Sequence, residues 1–227
     1  MGKPVCVIVG IGPKNGRAFA ERFAQEGYAV ALLSRSTGYS SGLAAELGGR
    51  AYACDVTDPS AIKQAFALIR DDLGEVDVLL YNAGSGKFGT FDDVSDDEFE
   101  KGWQINVRGL LQSTREVVGS MREKGSGAII ITGATASLRG KPFTAAFASA
   151  KAGQRSLAQS FARQLGPEGI HVALVIVDGG IGTDEESSKD GTRLRPSDIA
   201  HTVYHLATQP KSAWSFEVDV RPFKEDW

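Results

Sequence analysis

The chain has 227 residues, a length that suits one domain with a sizeable core rather than two. Hydrophobic residues make up 42% and charged residues 23%, and the net charge is −3 with both signs mixed along the chain, as in an ordinary soluble globular protein. No basic stripe points to nucleic acid, and the longest apolar runs, 76–81 and 172–177, are too short to span a bilayer, so neither partner is expected.

Residues 1–6 run straight into an apolar strand, without a signal-peptide h-region or a small-residue cleavage site. Cys6 stands where a myristoylation motif wants Ser or Thr. Cys6 and Cys54 both fall in predicted strands and read as reduced core thiols, so a cytoplasmic location is the default expectation.

Short apolar runs alternate with amphipathic stretches. A buried strand over 5–9 leads into a helix over 16–26, with Ala18, Phe19, Phe23 and Ala24 on its inner side. Strands follow at 28–33 and 50–54, with a short helix over 41–47 between them. Asp58 is a plausible N-cap and Pro59 sits in the first turn of a helix running to about 73. A fourth strand covers 76–81, and 96–124 is one long helical region, broken or continuous. A strand over 128–132, a long Ala- and Ser-rich helix over 143–165 and a sixth strand over 170–177 come next. Residues 183–195 read as a short polar loop on the substrate side; a helix follows Pro196, and 214–218 could close the sheet. Buried strands separated by helices, with no linker or repeat, predict a single doubly wound Rossmann domain over 1–227. Its central parallel sheet of about seven strands is covered by helices on both faces.

The first strand ends in Gly10-Ile11-Gly12-Pro13-Lys14-Asn15-Gly16 and opens a helix. Glycines let backbone approach a pyrophosphate, and the helix N-terminus supplies N–H donors and positive potential. At the first β–α junction of a repeated pattern, this turn predicts a dinucleotide site. An NAD-preferring domain usually ends its second strand in an acidic residue; here Ser34-Arg35-Ser36 stands instead. A guanidinium can pair with a 2′-phosphate that a carboxylate would repel, and Lys14 could add a second charge nearby, so the expected cofactor is NADP(H).

Further segments resemble the short-chain dehydrogenase/reductase family over nearly the whole chain. Asp55-Val56 is similar to the family's adenine-contacting segment, and Asn82-Ala83-Gly84 to its Asn-Ala-Gly signature on the cofactor floor. By the same resemblance, Asn106 and Lys151 belong to the catalytic group, with Lys151 also binding the nicotinamide ribose. Gly179 follows the sixth strand, and Ile181 and Thr183 are placed to meet the nicotinamide carboxamide. Family members commonly pair through the helix that carries Lys151, which implies a homodimer or homotetramer. The departures are Phe147 at the usual Tyr position and Ala134 at the usual Ser position, with Lys14 in place of the middle glycine. A phenylalanine has no exchangeable proton and cannot act as general acid or base.

Thr135, Ser137 and Ser149 carry hydroxyls near the vacated positions, but each reads better as helix-surface or backbone-bonded. Lys151 could protonate a product or only hold the ribose. Asp178 could anchor a cationic group, though a capping or backbone-satisfying role suits it better; Tyr81 reads as core. His201 and His205 have metal-ligand spacing without a third ligand, so no metal site is expected. The leading expectation is an atypical NADP(H)-dependent oxidoreductase acting on a small molecule such as an imine or conjugated acceptor. The alternative is a catalytically silent NADP(H)-binding sensor or partner subunit. A nucleoside-cofactor methyltransferase fits poorly, because it wants an acidic residue where Arg35 stands.

Overall fold

A computed structural model describes residues 2–225. In chain order the elements begin β1 (Val5–Val9), α1 (Asn15–Gln25), β2 (Ala29–Ser34), α2 (Thr37–Leu47), β3 (Arg50–Ala53), α3 (Pro59–Leu73) and β4 (Val76–Tyr81). They continue with α4 (Asp96–Trp103), α5 (Gly109–Lys124), β5 (Gly127–Ala134), α6 (Ala145–Leu165) and β6 (Ile170–Val177). Last come β7 (Gly180–Ile181), α7 (Asp184–Asp190), β8 (Arg193–Leu194), α8 (Pro196–Ala207) and β9 (Glu217–Val220). Seven strands form one parallel sheet in the order β3-β2-β1-β4-β5-β6-β9, and β7 pairs with β8 apart from it.

The sheet follows from strands that are apolar on both sides. Val5, Val7, Val9, Tyr81 and Ile131 face a layer built by α3, α5 and α6, including Phe66, Leu110 and Phe161. The alternate residues Cys6, Ile8, Leu32, Leu80 and Val175 face Phe19 and Phe23 of α1, Leu43 of α2 and Val203 of α8. A period-two strand can bury both of its faces only with helices on each side, which gives the three-layer sandwich. The topological switch lies between β1 and β4, where the chain has crossed from one half of the sheet to the other.

Several expected boundaries shift for identifiable reasons. The region 96–124 is one rod whose middle, Gln104–Arg108, is wound as a single π turn, so the break is a local widening rather than a gap. Tyr81 Oη donates to Ile105 O at 2.5 Å and fixes that widening against the sheet. The helix expected over 41–47 begins at Thr37, because Ser34 Oγ and Ser40 Oγ bond at 2.8 Å and draw the Ser- and Gly-rich first turn onto β2. The helix expected from 143 begins at Ala145, since Thr144 Oγ1 accepts from Lys141 N at 2.8 Å in a preceding turn. β3 stops at Ala53, and Cys54 lies just past it. The closing strand lies at Glu217–Val220 rather than 214–218, because Trp214 leaves the edge to stack on His171 at 4.8 Å.

The largest correction concerns 183–195, which is not a plain loop. Thr183 Oγ1 accepts from Glu186 N at 3.1 Å, and Glu186 Oε2 accepts from Thr183 N at 2.9 Å, a capping box that starts α7. Gly191, at φ +73°, ends it, and β8 then returns to pair with β7.

Tyr81 ties β4 to the π turn from a fully buried position. Tyr81→Phe leaves the Ile105 carbonyl without that donor and is expected to cost about 1–3 kcal/mol in urea denaturation. No change in the denaturation midpoint would show that the π turn holds itself.

Candidate functional site

The C-terminal ends of β1, β2 and β4 open into a cavity of about 810 Å³. Its floor depends on a backbone approach between the switch-point strands. Gly10 has φ +97°, and a Cβ there would stand 2.5 Å from Ala83 N, so no side chain fits. Asn82 Nδ2 donates to Gly10 O at 2.7 Å, and Thr132 Oγ1 donates to Asn82 Oδ1 at 3.1 Å, which links β1, β4 and β5 in one chain of bonds. A Cβ at Gly16 would meet Gly10 O and Ile11 Cα at 2.8 Å, whereas Gly12 faces open space. The start of α1 carries no side-chain cap; Arg17 N donates back to Gly12 O at 2.9 Å, and Asn15 and Gly16 line the cavity ahead of it. Asn15 is buried there, with Oδ1 unpartnered.

Lys14, Ser34, Arg35, Asp55, Val56 and Gly84 line the same cavity, as does Ile181. Lys14 does not join Arg35: its Nζ donates to Ile181 O at 2.5 Å, strapping the glycine turn to β7. Ser34 Oγ is committed to Ser36 O at 2.8 Å. Arg35 is exposed and makes no hydrogen bond or ion pair among the described residues. Thr57 N–H donates to Asp55 Oδ1 at 2.9 Å and holds that carboxyl below its ordinary range. Thr183 is spent on capping α7, and Gly179, at φ +131°, sits under Pro222; neither lines the cavity.

Asn106 and Lys151 meet at the inner wall. Asn106, at the centre of the π turn, donates from Nδ2 to Ser85 O at 2.5 Å and to Gly102 O at 2.8 Å, and its Oδ1 has no partner. Lys151 Nζ donates to Thr132 O and to Gln154 Oε1, each at 2.9 Å, and Gln154 Nε2 donates to Asn106 O at 3.1 Å. A Cβ at Gly84 would lie 3.1 Å from Lys151 Nζ and 3.4 Å from Asn106 Oδ1. The glycine thus leaves a notch beside a donor and an unpaired acceptor that converge, both of them buried behind the cavity lining. Burial lowers the Lys151 amine to about 8, which leaves it mostly charged at neutral pH. Sequence reading missed Gln154. Its signal was a carboxamide three residues after Lys151, on the same helical face.

Positions 147 and 134 carry no acid, and the hydroxyls near them are committed elsewhere. Phe147 packs on Phe88 with centroids 5.1 Å apart and leaves no room for a side chain at Gly86. Ser137 Oγ donates to Ala134 O at 2.7 Å and Ser149 Oγ to Ala146 O at 3.0 Å, so both are backbone-bonded as expected. Asp178 neither caps a helix nor faces the site freely. Thr135 Oγ1 donates to it at 2.5 Å, Arg221 Nη1 lies 3.4 Å away and Arg139 Nη2 3.8 Å. Arg221 comes from beyond β9 and is not legible as a partner from sequence distance. Among the described residues no group of His, Cys, Asp and Glu could hold a metal ion. No described helix is long and apolar enough to cross a membrane.

The family model of the short chain dehydrogenase matches residues 4–193. The D-xylose 1-dehydrogenase of Caulobacter vibrioides is 33% identical over 230 residues, covering 93% of this chain and 90% of that protein. The solved short-chain dehydrogenase of Rhodopseudomonas palustris aligns with a TM-score of 0.85 at 33% identity, over 97% of this chain and 99% of that one. The alcohol dehydrogenase of the archaeon Thermococcus sibiricus, solved in complex with 5-hydroxy-NADP, aligns with a TM-score of 0.88 at 26% identity, over 99% and 98%.

Asp178 is only 5% exposed and answers two arginines, of which Arg221 also pairs with Asp219, so removing its charge takes the buried partner from Arg139 and from one side of Arg221. Asp178→Asn is expected to lower unfolding free energy by about 1–3 kcal/mol, less than a fully buried pair because Arg139 is half in solvent. An unchanged melting curve would show that the cluster contributes nothing to the fold.

Proposed function

We propose that this chain, which belongs to the short chain dehydrogenase family, is an oxidoreductase that takes NADP(H) and acts on acceptors needing little protonation help. The observation that carries the reading is a glycine-built cavity at the switch point, with Arg35 at one end and Lys151 and Asn106 behind the other, beside a ring rather than a phenol at position 147. The Gly10 approach and the open Gly12 fit a pyrophosphate, and the convergent Lys151 and Asn106 atoms at Gly84 fit a ribose hydroxyl. Arg35, unpaired where an acidic residue would mark NAD preference, fits a 2′-phosphate. The nicotinamide, when bound, supplies the hydride.

The chain's own residues divide the work. The turn before α1 holds the phosphates with backbone N–H groups, Arg35 reads the 2′ end, and Lys151 and Asn106 fix the far ribose. Phe147 and Phe88 give the substrate side an aromatic wall. No group there can protonate a developing alkoxide, and losing a general acid costs on the order of 10²–10⁴-fold. Iminium or conjugated acceptors therefore suit the site better than simple ketones. The joint presence of Phe147 and Ala134 also favours a second reading, a cofactor-binding protein that no longer turns over.

Titration by NADPH fluorescence is expected to show tighter binding than for NADH. Arg35→Asp should weaken NADPH binding by roughly tenfold or more while sparing NADH, the size of one lost charge-assisted hydrogen bond. Equal affinities for the two cofactors in the parent protein would remove the NADP(H) assignment. Turnover of NADPH with ketone, imine and enone panels tests the chemistry. The Phe147→Tyr, Ala134→Ser double variant should gain little ketone reduction, as a site rebuilt for other chemistry would; a gain on the order of 10²-fold or more would show an intact but disarmed site. Rapid ketone reduction by the parent protein would overturn the account of Phe147, and no turnover with any panel would leave the silent binder as the function.

A further inference from the structure

We propose that Gln154 is the positioning residue of this site: with the Thr132 carbonyl it holds two of the Lys151 N–H groups inward, one on each acceptor, so that the third faces the Gly84 notch beside Asn106 Oδ1. The inference deepens the cofactor reading above and rests on it for the identity of what enters the notch. Three observations support it. Gln154 is fully buried on α6, three residues after Lys151, and both of its amide atoms are used. Its Oε1 accepts from Lys151 Nζ and its Nε2 donates to Asn106 O, so the orientation of the carboxamide is fixed by its partners. The Lys151 amine then has two carbonyl acceptors, Thr132 O and Gln154 Oε1, and one proton left.

That arrangement has a chemical consequence. A carboxamide neither takes up nor releases a proton near neutral pH, so the chain from Lys151 through Gln154 ends at a backbone carbonyl. A proton leaving Lys151 cannot be replaced from within the fold, and the amine serves as a hydrogen-bond donor rather than an acid. Paired with the bare Asn106 Oδ1, it selects a group that can both accept and donate, a hydroxyl.

The surroundings also make the amine's charge sensitive to Gln154. The elements packed around it contribute Phe147 and Gln154 from α6, Thr132 from β5, Asn106 from the π turn and Gly84 from the loop after β4. None of these side chains ionises, and burial is what depresses the amine. With no carboxylate beside it, the Gln154 carbonyl is one of two acceptors that keep it charged.

The test follows Lys151 in protein carrying 13C-labelled lysine, its 13Cε signal assigned by its loss in Lys151→Met. The parent protein should titrate near pH 8. Gln154→Leu removes one acceptor and should move the midpoint down by about one pH unit, the size of a hydrogen bond to a charged group. Gln154→Glu, of nearly the same shape, places a carboxylate there and should move it up by a comparable amount; it also serves if the leucine variant fails to fold. A filler with a merely structural role would leave the midpoint of the leucine variant at the parent value, whereas the glutamate variant reports that the two side chains stay in contact. Midpoints that stay within about 0.3 unit of the parent, or that move in the same direction, overturn the proposal. In a parallel titration, Gln154→Leu should weaken NADPH binding several-fold more at pH 8.5 than at pH 6.5. If the parent protein binds no NADPH, the cofactor reading fails, while the lysine titration still decides the role of Gln154.

The same group links to stability with a definite sign. Lys151 titrates lower in the folded chain than in the unfolded one, so between about 8 and its ordinary range the unfolded state holds more protons. The folded protein should therefore gain stability as pH rises through that window, and Lys151→Met should lack that gain. In Gln154→Leu the gain should begin at lower pH, and in Gln154→Glu at higher pH. A parent protein and Lys151→Met with the same pH dependence of melting would remove the premise that burial depresses this amine.

Discussion

The approach of Gly10 to Ala83 is the constraint on which the site depends. Two parallel strands, β1 and β4, leave the sheet side by side at the point where the winding reverses, and the turns that follow them must diverge. Gly10 lets the first turn pass so close to the second that a methyl group could not fit, and Asn82 Nδ2 locks the contact by bonding Gly10 O. Thr132 extends the lock to β5 through Asn82 Oδ1, and the same residue's carbonyl receives Lys151 Nζ. The floor of the cavity and the seat of the lysine are thus parts of one hydrogen-bonded frame. A shift of one strand would be felt at the amine.

A second consequence concerns how buried polar groups are satisfied. Asn106 uses both Nδ2 protons on backbone carbonyls, and its own carbonyl is answered by Gln154. What remains unpaired, Asn106 Oδ1 and one Lys151 N–H, points to the same notch at Gly84. Orphaned buried atoms are costly, so their convergence beside a residue without a side chain marks a place built to receive something polar. The region around position 147 is satisfied differently. Phe147 packs on Phe88, while the hydroxyls of Ser137 and Ser149 are bound to backbone.

The fold was largely legible in the sequence because strands apolar on both faces leave few alternatives, and the glycine turn and Asn82-Ala83-Gly84 fell at strand ends where they could be placed. Boundaries moved where local bonds compete with periodicity, as at Ser40 and Thr144. The helix at 184–190 was hidden by its polarity, although Thr183 and Glu186 stand at capping-box spacing. Long-range pairings were not legible. Nothing near Asp178 in the chain announces Arg221, and nothing near Lys14 announces the carbonyl of Ile181. Gln154 lay between these cases, since its spacing from Lys151 was visible but its second partner, the Asn106 carbonyl, requires the π turn to be formed.

Phe147 and Ala134 acquire their meaning from that network. A phenol at position 147 would need a charged neighbour to release its proton and a route for that proton to be restored. Here the neighbouring ammonium is turned inward by two carbonyls, and the group behind it cannot carry a proton. The ring at Phe147 and the amide at Gln154 therefore agree with one another, since both remove proton transfer while leaving the hydrogen-bond donor that a cofactor hydroxyl needs. A site that had merely decayed would have no reason to satisfy both atoms of a buried carboxamide, because a misfit amide costs more than an apolar side chain in its place. The hydrogen bonds of Gln154 are in that sense the structural argument for a site rebuilt around binding and hydride transfer.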